Sequence, residues 1–138
     1  MKFKRSASAQ WKGSGKEGKG TISTQSTVLD SAQYSFGTRF ENGKGTNPEE
    51  LIGAAHSGCF AMQLSFLLGE AGFTPESLDV KAEVNFEDGE IKLITLHLKG
   101  KVPKIDETKF KEIATKAKEV CPISKLLNAE IELNTELV

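Results

Sequence analysis

The sequence predicts an α+β fold in a single domain over residues 1–138. Three observations indicate it: alternating apolar and polar residues near both ends, a long apolar run at residues 51–68 between them, and the hairpin signal Asp88-Gly89. Strands and helices that occupy separate stretches of the chain are typical of the α+β class. A length of 138 residues suits one domain.

The N-terminal third is expected to be a meander of short strands. Apolar residues alternate with polar ones at residues 3–11. A glycine-rich turn at residues 13–20 comes next, and a β-type run follows it as far as Val28. Alternation returns at Tyr34, Phe36, Thr38 and Phe40 before the turn Asn42-Gly43. We therefore expect strand structure as far as Phe40.

A long central helix should start at Asn47-Pro48-Glu49-Glu50, which supplies an N-cap, a proline at the first helical position and two acids in the first turn. It can run to about Glu70, where Ala71-Gly72 ends it. Small residues recur every four positions at Gly53, Ser57, Ala61, Ser65 and Gly69.

Roughly opposite this stripe lie Ile52, Ala55, Cys59 and Phe66, at 100° per residue. A helix that is apolar all round must be buried, so we expect this one to be packed on both sides. In so small a chain, a second copy of the same helix is a natural cover.

The C-terminal half predicts a hairpin, two helices and a closing strand. A strand through Val80, Ala82, Val84 and Phe86 turns at Asp88-Gly89 into a second strand at residues 91–102. Asp106 should cap a helix whose apolar face is Phe110, Ile113, Ala114, Ala117 and Val120. Cys121-Pro122 opens a short helix, and Ile131 and Leu133 form the last strand.

The composition narrows the classes of molecule that this protein is expected to bind and the compartment in which it is expected to lie. A net charge of -1 with dispersed lysines gives no basis for binding nucleic acid or an anionic membrane. The N-terminus lacks the apolar run of a signal peptide, and His56, Ser57, Gln63 and Ser65 interrupt the apolar stretch, so we expect a cytoplasmic protein without a membrane span. In a reducing compartment, the two cysteines favour redox-active or inert thiols over a structural disulfide.

Other motifs carry less. Gly13-x-Gly15-x-x-Gly18 matches the dinucleotide-binding string, but β-type residues follow it instead of a helix, so a hairpin loop is the better interpretation. His56 and Cys59 stand one turn apart but lack further ligands nearby, so no metal is expected. His56 could equally serve Cys59 as a base, although nothing else supports acyl transfer.

A reaction with peroxide fits the two cysteines better than metal binding or acyl transfer does. A thiol attacks a peroxide as thiolate, an apolar site raises its pKa, and a cation must oppose that rise. Arg5 and Arg39 are the two arginines, and Arg39 immediately precedes the loop that enters the central helix. Arg39 is therefore the plausible partner of Cys59, with a surface salt bridge as its alternative role.

The sequence resembles the osmotically inducible protein C (OsmC) family along essentially its whole length. The matching motifs are Thr38-Arg39-Phe40-Glu41, Gly45-Thr46-Asn47-Pro48-Glu49-Glu50-Leu51, Ala54-Ala55-His56, Gly58-Cys59-Phe60, residues 68–75 and Cys121-Pro122-Ile123-Ser124. The related organic hydroperoxide resistance branch is less similar, because there the arginine lies nearer the N-terminus and an aromatic residue follows the second Cys-Pro.

The resemblance implies antiparallel sheets wrapped around a long buried central helix, in an intertwined homodimer with two sites at the interface. It implies a thiol peroxidase that reduces organic hydroperoxides, and hydrogen peroxide more weakly, in oxidative and osmotic stress defence, with no cofactor. By position, Cys59 is the peroxidatic cysteine, Cys121 the resolving cysteine, Arg39 the activating cation and Glu49 the carboxylate that holds it. A dithiol must reduce the resulting disulfide, and lipoyl groups serve some relatives.

Two expectations concern how this site is built. Ile52, Ala55 and Phe66 share the Cys59 side of the helix and would bind an apolar substrate. Glu49 and Cys59 lie ten residues apart, roughly 15 Å along a helix, so either Arg39 spans the gap or the two residues meet across a dimer. The alternatives to an enzyme are a redox sensor with the same cysteine pair and a non-catalytic small-molecule-binding stress protein.

Overall fold

The computed structural model describes all 138 residues, which fall into two compact units, Met1–Leu51 and Ile52–Val138. In chain order the elements are β1 (Ala7–Lys12), β2 (Lys19–Thr24), β3 (Ala32–Tyr34), α1 (Phe36–Phe40), α2 (Pro48–Glu70), β4 (Ser77–Glu87), β5 (Glu90–Lys101), α3 (Glu107–Val120), α4 (Pro122–Leu126) and β6 (Glu130–Leu137). The predicted α+β class is confirmed. A single domain stays a prediction.

The first unit contains a three-stranded antiparallel sheet in the order β1-β2-β3. Gly20 of β2 stands between Trp11 and Tyr34 in the register of the sheet. The two aromatic rings meet over this glycine, with their centroids 5.3 Å apart. A Cβ at Gly20 would lie 2.4 Å from Cε1 of Tyr34, so the ring pair requires glycine at this position.

The glycine-rich segment at residues 13–18 connects β1 to β2. The indole Nε1 of Trp11 donates to the carbonyl oxygens of Gly13 at 3.1 Å and Ser14 at 3.2 Å. Gly13 adopts φ +98°, a conformation that favours glycine. The interpretation of this segment as a hairpin loop is confirmed.

The alternation through Phe40 overestimates the extent of strand structure. β3 ends at Tyr34, and Phe36–Phe40 form the short helix α1. Ser35 Oγ accepts a hydrogen bond from the Thr38 amide at 3.3 Å, and Thr38 Oγ1 accepts one from the Ser35 amide at 2.8 Å. This reciprocal capping box stabilises a helical turn that period-two alternation cannot reveal. Alternation from Phe3 is also too long, because β1 begins at Ala7.

The central helix α2 has the predicted bounds. Asn47 Oδ1 accepts a hydrogen bond from the Glu50 amide at 2.8 Å, which caps its first turn. At its end the Phe73 amide donates to the Leu68 carbonyl at 2.8 Å while Gly72 adopts φ +91°. This is a Schellman ending, and it explains why the helix stops at Glu70.

The second unit contains the sheet β4-β5-β6. Asp88 and Gly89 adopt φ 50° and 80°, so the predicted hairpin between β4 and β5 is confirmed. β6 pairs parallel to β5, so this sheet is mixed and the antiparallel sheets implied by the resemblance are wrong for this strand. The physical reason is the connection: a parallel neighbour needs a crossover, which α3 and α4 provide.

The core of the second unit lies between one face of its sheet and the helices. The Asp106 carboxylate caps α3 by accepting from the Lys109 amide at 2.8 Å, as predicted. Fully or nearly fully buried apolar residues come from α2 (Phe60, Leu64, Leu68), β5 (Ile94, Leu96, Leu98) and α3 (Phe110, Ile113, Ala114, Ala117).

Within a single chain α2 is buried on one face. Phe60, Leu64 and Leu68 are inaccessible, whereas Met62 and Phe66 are 65% and 64% exposed. By length and composition alone α2 could cross a membrane, a property that it shares with core helices of soluble proteins. Its buried face packs in the core of the second unit. Burial on both sides therefore stays a prediction that depends on a second copy.

Gly100 of β5 provides a test of this packing. A Cβ there would lie 2.4 Å and 2.7 Å from ring atoms of Phe110. We expect Gly100→Ala to lower the free energy of unfolding by about 1–3 kcal/mol, the usual cost of overpacking a core. Urea unfolding measures this difference.

The matched control is Gly15→Ala, because nothing lies within 4 Å of a Cβ at Gly15. Its free energy of unfolding should stay within about 0.5 kcal/mol of the original, as for most surface substitutions. Equal effects of the two changes would contradict the packing of Phe110 on β5.

Candidate active site

Cys59 and Cys121 are in direct contact although 62 residues separate them. Their Sγ atoms lie 2.8 Å apart, and both cysteines are free thiols. Cys121 is completely buried, whereas Cys59 keeps part of its surface accessible. An accessible thiol touching a buried one is the arrangement of a dithiol redox centre, in which oxidation of the first can be followed by disulfide formation with the second.

The turn between α3 and α4 positions Cys121. Its amide donates to the Ala117 carbonyl at 2.9 Å and ends α3, and its carbonyl accepts from the Lys125 amide at 3.1 Å in α4. Pro122 begins α4, where a proline is favoured because the first helical amide needs no partner. Backbone hydrogen bonds on both sides thus hold Cys121 in place.

The surroundings of Cys59 favour the protonated thiol. Burial raises its pKa above the ordinary value of 9.0, and the hydrogen bond between the Cys59 and Cys121 thiols raises it further. A hydrogen bond with the backbone of Ile123 acts in the opposite direction. None of the groups that shift this pKa is a cation. Because the thiolate is the reactive form of cysteine, this raised pKa disfavours the reactive form at neutral pH.

A buried histidine lies one helical turn before Cys59. His56 is inaccessible to solvent, and its Nε2 shares a hydrogen bond of 2.8 Å with Ser124 Oγ. Its Nδ1 has no hydrogen-bond partner. Burial lowers its pKa from the ordinary 6.5, so the imidazole is neutral at pH 7.

Sequence reasoning missed this pairing. It weighed His56 as a metal ligand or base and assigned no role to Ser124. No group of three or more His, Cys, Asp or Glu side chains is arranged to hold a metal ion. Since 68 residues separate His56 from Ser124, no local pattern could have connected them.

Arg39 and Glu49 form an ion pair in the first unit. Arg39 Nε donates to Glu49 Oε1 at 2.8 Å, from the last turn of α1 to the first turn of α2. The Arg39 side chain is 39% exposed and that of Glu49 14% exposed. The Arg39 guanidinium carbon also lies 5.1 Å from the centroid of the Phe40 ring. The carboxylate that the resemblance assigns to Arg39 thus contacts it within the same chain.

The four residues predicted for catalysis therefore make two pairs, Arg39–Glu49 in the first unit and Cys59–Cys121 in the second. Of the residues predicted to bind substrate, Ile52 is half-buried against the core, whereas Ala55 and Phe66 are exposed.

Comparison with known proteins assigns the family. A family model for OsmC-like proteins matches residues 41–136, and the chain belongs to this family. It is 50% identical to the Peroxiredoxin OsmC of Escherichia coli, with 99% of each chain covered. It is 29% identical to the organic hydroperoxide resistance protein OhrB of Bacillus subtilis over 86% of this chain and 88% of that one. The crystal structure of OhrB superposes with a TM-score of 0.68, covering 96% of this chain and 98% of that chain.

The buried His56 predicts how stability depends on pH. Its pKa is lower in the folded protein than the ordinary 6.5, so the unfolded chain binds more protons between these two values. The stability that neutral His56 contributes is present above about pH 6.5 and is lost as the pH falls through the folded pKa. We expect the melting temperature to fall with acidification in that window.

The matched control is His56→Gln, which retains a side-chain amide for Ser124 but cannot titrate. Its melting temperature should change less over the same pH range when both proteins are measured by circular dichroism. Parallel pH profiles of the two proteins would show that His56 does not cause the loss.

Proposed function

We propose that this protein is a cysteine-based peroxidase that reduces organic hydroperoxides to alcohols in oxidative and osmotic stress defence. The observation that carries the proposal is the 2.8 Å contact between Cys59 and Cys121. The chain's similarity to a relative named Peroxiredoxin OsmC and to one named organic hydroperoxide resistance protein supports it. Two thiols can carry out this reaction without a cofactor, so we propose none. We place the protein in the cytoplasm, where cysteines are kept reduced.

The accessible thiol of Cys59 and the buried thiol of Cys121 carry out different steps of the reaction. The Cys59 thiolate attacks the terminal oxygen of the hydroperoxide, the O–O bond breaks, and the alkoxide takes a proton and leaves as alcohol. Cys59 is then a sulfenic acid. The Cys121 sulfur attacks the Cys59 sulfur, hydroxide leaves as water with the Cys121 proton, and a disulfide remains. A dithiol such as a lipoyl group reduces this disulfide by thiol–disulfide exchange.

The first step requires a cation, which we assign to Arg39. A positive charge about 4 Å from the Cys59 sulfur would contribute roughly 4 kcal/mol at an effective dielectric constant of about 20, enough to oppose the effect of burial. Glu49 would orient the guanidinium through the ion pair that the two residues form. Arg39→Met should therefore damage the first step more than Glu49→Gln.

We propose that Arg39 and Glu49 act on the Cys59 of a second subunit in a homodimer. Glu49 and Cys59 are ten residues apart on α2, which corresponds to about 15 Å along the helix axis. The exposed apolar residues Met62 and Phe66 give α2 a surface that a second copy could cover. Such a dimer would bring a cation to a thiol whose pKa burial raises.

The substrate should be an organic hydroperoxide with an apolar group. Ile52, Ala55 and Phe66 would contact this group on the Cys59 side of α2. Each methylene buried there contributes about 0.8 kcal/mol, which hydrogen peroxide cannot obtain. This difference favours cumene or tert-butyl hydroperoxide over hydrogen peroxide.

Replacing each cysteine separately tests their roles. Cys59→Ser should abolish hydroperoxide reduction, because a serine hydroxyl is not a comparable nucleophile. Cys121→Ser should still react once, then accumulate sulfenic acid and higher oxides. Intact-protein mass spectrometry after stoichiometric cumene hydroperoxide should show added oxygen on Cys121→Ser and loss of two hydrogens on the unsubstituted protein. Near-normal turnover by Cys59→Ser would refute the assignment.

Subunit mixing tests the proposed dimer. Arg39→Met and Cys59→Ser homodimers should each have low activity, since every site has one defect. After subunit exchange, a mixed dimer should contain one site with both defects and one intact site, so peroxidase activity should rise. Mixing each variant with itself is the control. If activity does not rise although exchange is shown by mass spectrometry, Arg39 serves its own chain and the cross-subunit model fails.

A further inference from the structure

The hydrogen bond between His56 and Ser124 joins the two segments that carry the cysteines. His56 lies three residues before Cys59 on α2, and Ser124 lies three residues after Cys121 on α4. Its 2.8 Å length and the complete burial of His56 make it a specific contact inside the protein. The peroxidase cycle described above gives this pair no role.

The helix α4 is short and largely exposed. The helix has five residues, none of them buried, and Leu126 is 73% exposed. So short a helix has little stability of its own, because helix nucleation is unfavourable. Apart from partial packing of Ile123 and Leu127, its contacts with α2 include the Ser124 hydrogen bond and the bond between the Ile123 backbone and Cys59.

Disulfide formation depends on the position of this segment. The two sulfur atoms, 2.8 Å apart as thiols, must close to about 2.05 Å. Misplacement of a reacting group by about 1 Å can slow a reaction by about a hundredfold. A contact that fixes α4 against α2 next to both cysteines is therefore placed to determine how often the buried thiol meets the oxidised one.

We propose that His56 and Ser124 are positioning residues for the resolving step: their hydrogen bond holds Cys121 against Cys59 so that the disulfide forms before Cys59 is oxidised further. The proposal rests on the peroxidase function above, and adds to it a pair that acts on the second chemical step and not on the first. The chemistry of the resolving step is the one proposed above: the Cys121 sulfur displaces hydroxide from the Cys59 sulfenic acid, and the hydroxide leaves as water with the Cys121 proton.

Ser124→Ala removes the hydroxyl and leaves the buried imidazole without a partner. An unsatisfied buried group of this kind corresponds to about a tenfold effect on an equilibrium or rate. In Ser124→Ala we therefore expect disulfide formation to slow about tenfold and the rate of hydroperoxide attack by Cys59 to stay unchanged. Stopped-flow consumption of one equivalent of cumene hydroperoxide measures attack, and quenched-flow mass spectrometry measures the disulfide. More Cys59 should then be overoxidised at excess hydroperoxide.

Two variants separate positioning from a general loss of structure. Ser124→Thr retains a hydroxyl and should restore the rate of disulfide formation. Ser57→Ala removes a hydroxyl that bonds the Gly53 carbonyl within α2 at 2.8 Å, next to His56, and should leave the rate of disulfide formation unchanged. If Ser57→Ala slows this step as much as Ser124→Ala, or if threonine does not rescue it in a protein with a normal melting temperature, the positioning role is refuted.

An experiment without hydroperoxide tests the His56–Ser124 role independently of the proposed peroxidase function. In a glutathione redox buffer, Ser124→Ala should weaken the Cys59–Cys121 disulfide about tenfold, because the effective concentration of one thiol near the other falls. Unchanged disulfide stability together with unchanged resolution would overturn the His56–Ser124 role and leave the peroxidase intact. Failure of the unsubstituted protein to consume hydroperoxide would instead refute the proposed function, while the redox buffer would still test the role of the His56–Ser124 hydrogen bond.

Discussion

A thiol packed against an apolar core resists ionisation, and this constraint organises the chemistry of the molecule. Cys59 packs against the core of the second unit, and burial raises its pKa. Peroxide chemistry needs the opposite, a thiolate at neutral pH. The same burial brings Cys121 within 2.8 Å, so the environment that hinders ionisation also supplies the second thiol. A single chain thus brings the two thiols into contact, while the reactive thiolate form of Cys59 stays disfavoured.

The helix α2 links the parts of this arrangement. Its first turn carries Glu49 in an ion pair with Arg39, and its middle carries His56 and Cys59. Because a helix rises 1.5 Å per residue, these positions cannot approach one another along a single α2. A helix with one face in a core and apolar residues on the other is suited to an arrangement in which each copy contributes its charge pair to the other's thiol. The proposed dimer would thus give Arg39 and Glu49 a route to the Cys59 of the other copy.

Local sequence signals were reliable at the caps of the two long helices and at one tight turn. Asn47 and Asp106 cap the helices that they were expected to cap, and Asp88-Gly89 forms the expected turn. The expectation of a strand at Phe36–Phe40 was wrong, because the cap formed by Ser35 and Thr38 stabilises a helix in a segment whose alternation is equally compatible with a strand. The parallel pairing of β6 was beyond any local signal, because strand direction depends on where the crossover places the chain.

The sequence by itself determined the α+β class and the bounds of the central helix, and it singled out the two cysteines and Arg39 as candidate site residues. These follow from caps, turns, periodicity and the small number of candidate side chains, all of which act over a few residues. Only the tertiary structure decided that Cys59 touches Cys121, that Cys121 is the buried member, and that His56 bonds Ser124. Contacts across 62 and 68 residues arise when helices pack on a sheet, and packing depends on the whole core at once.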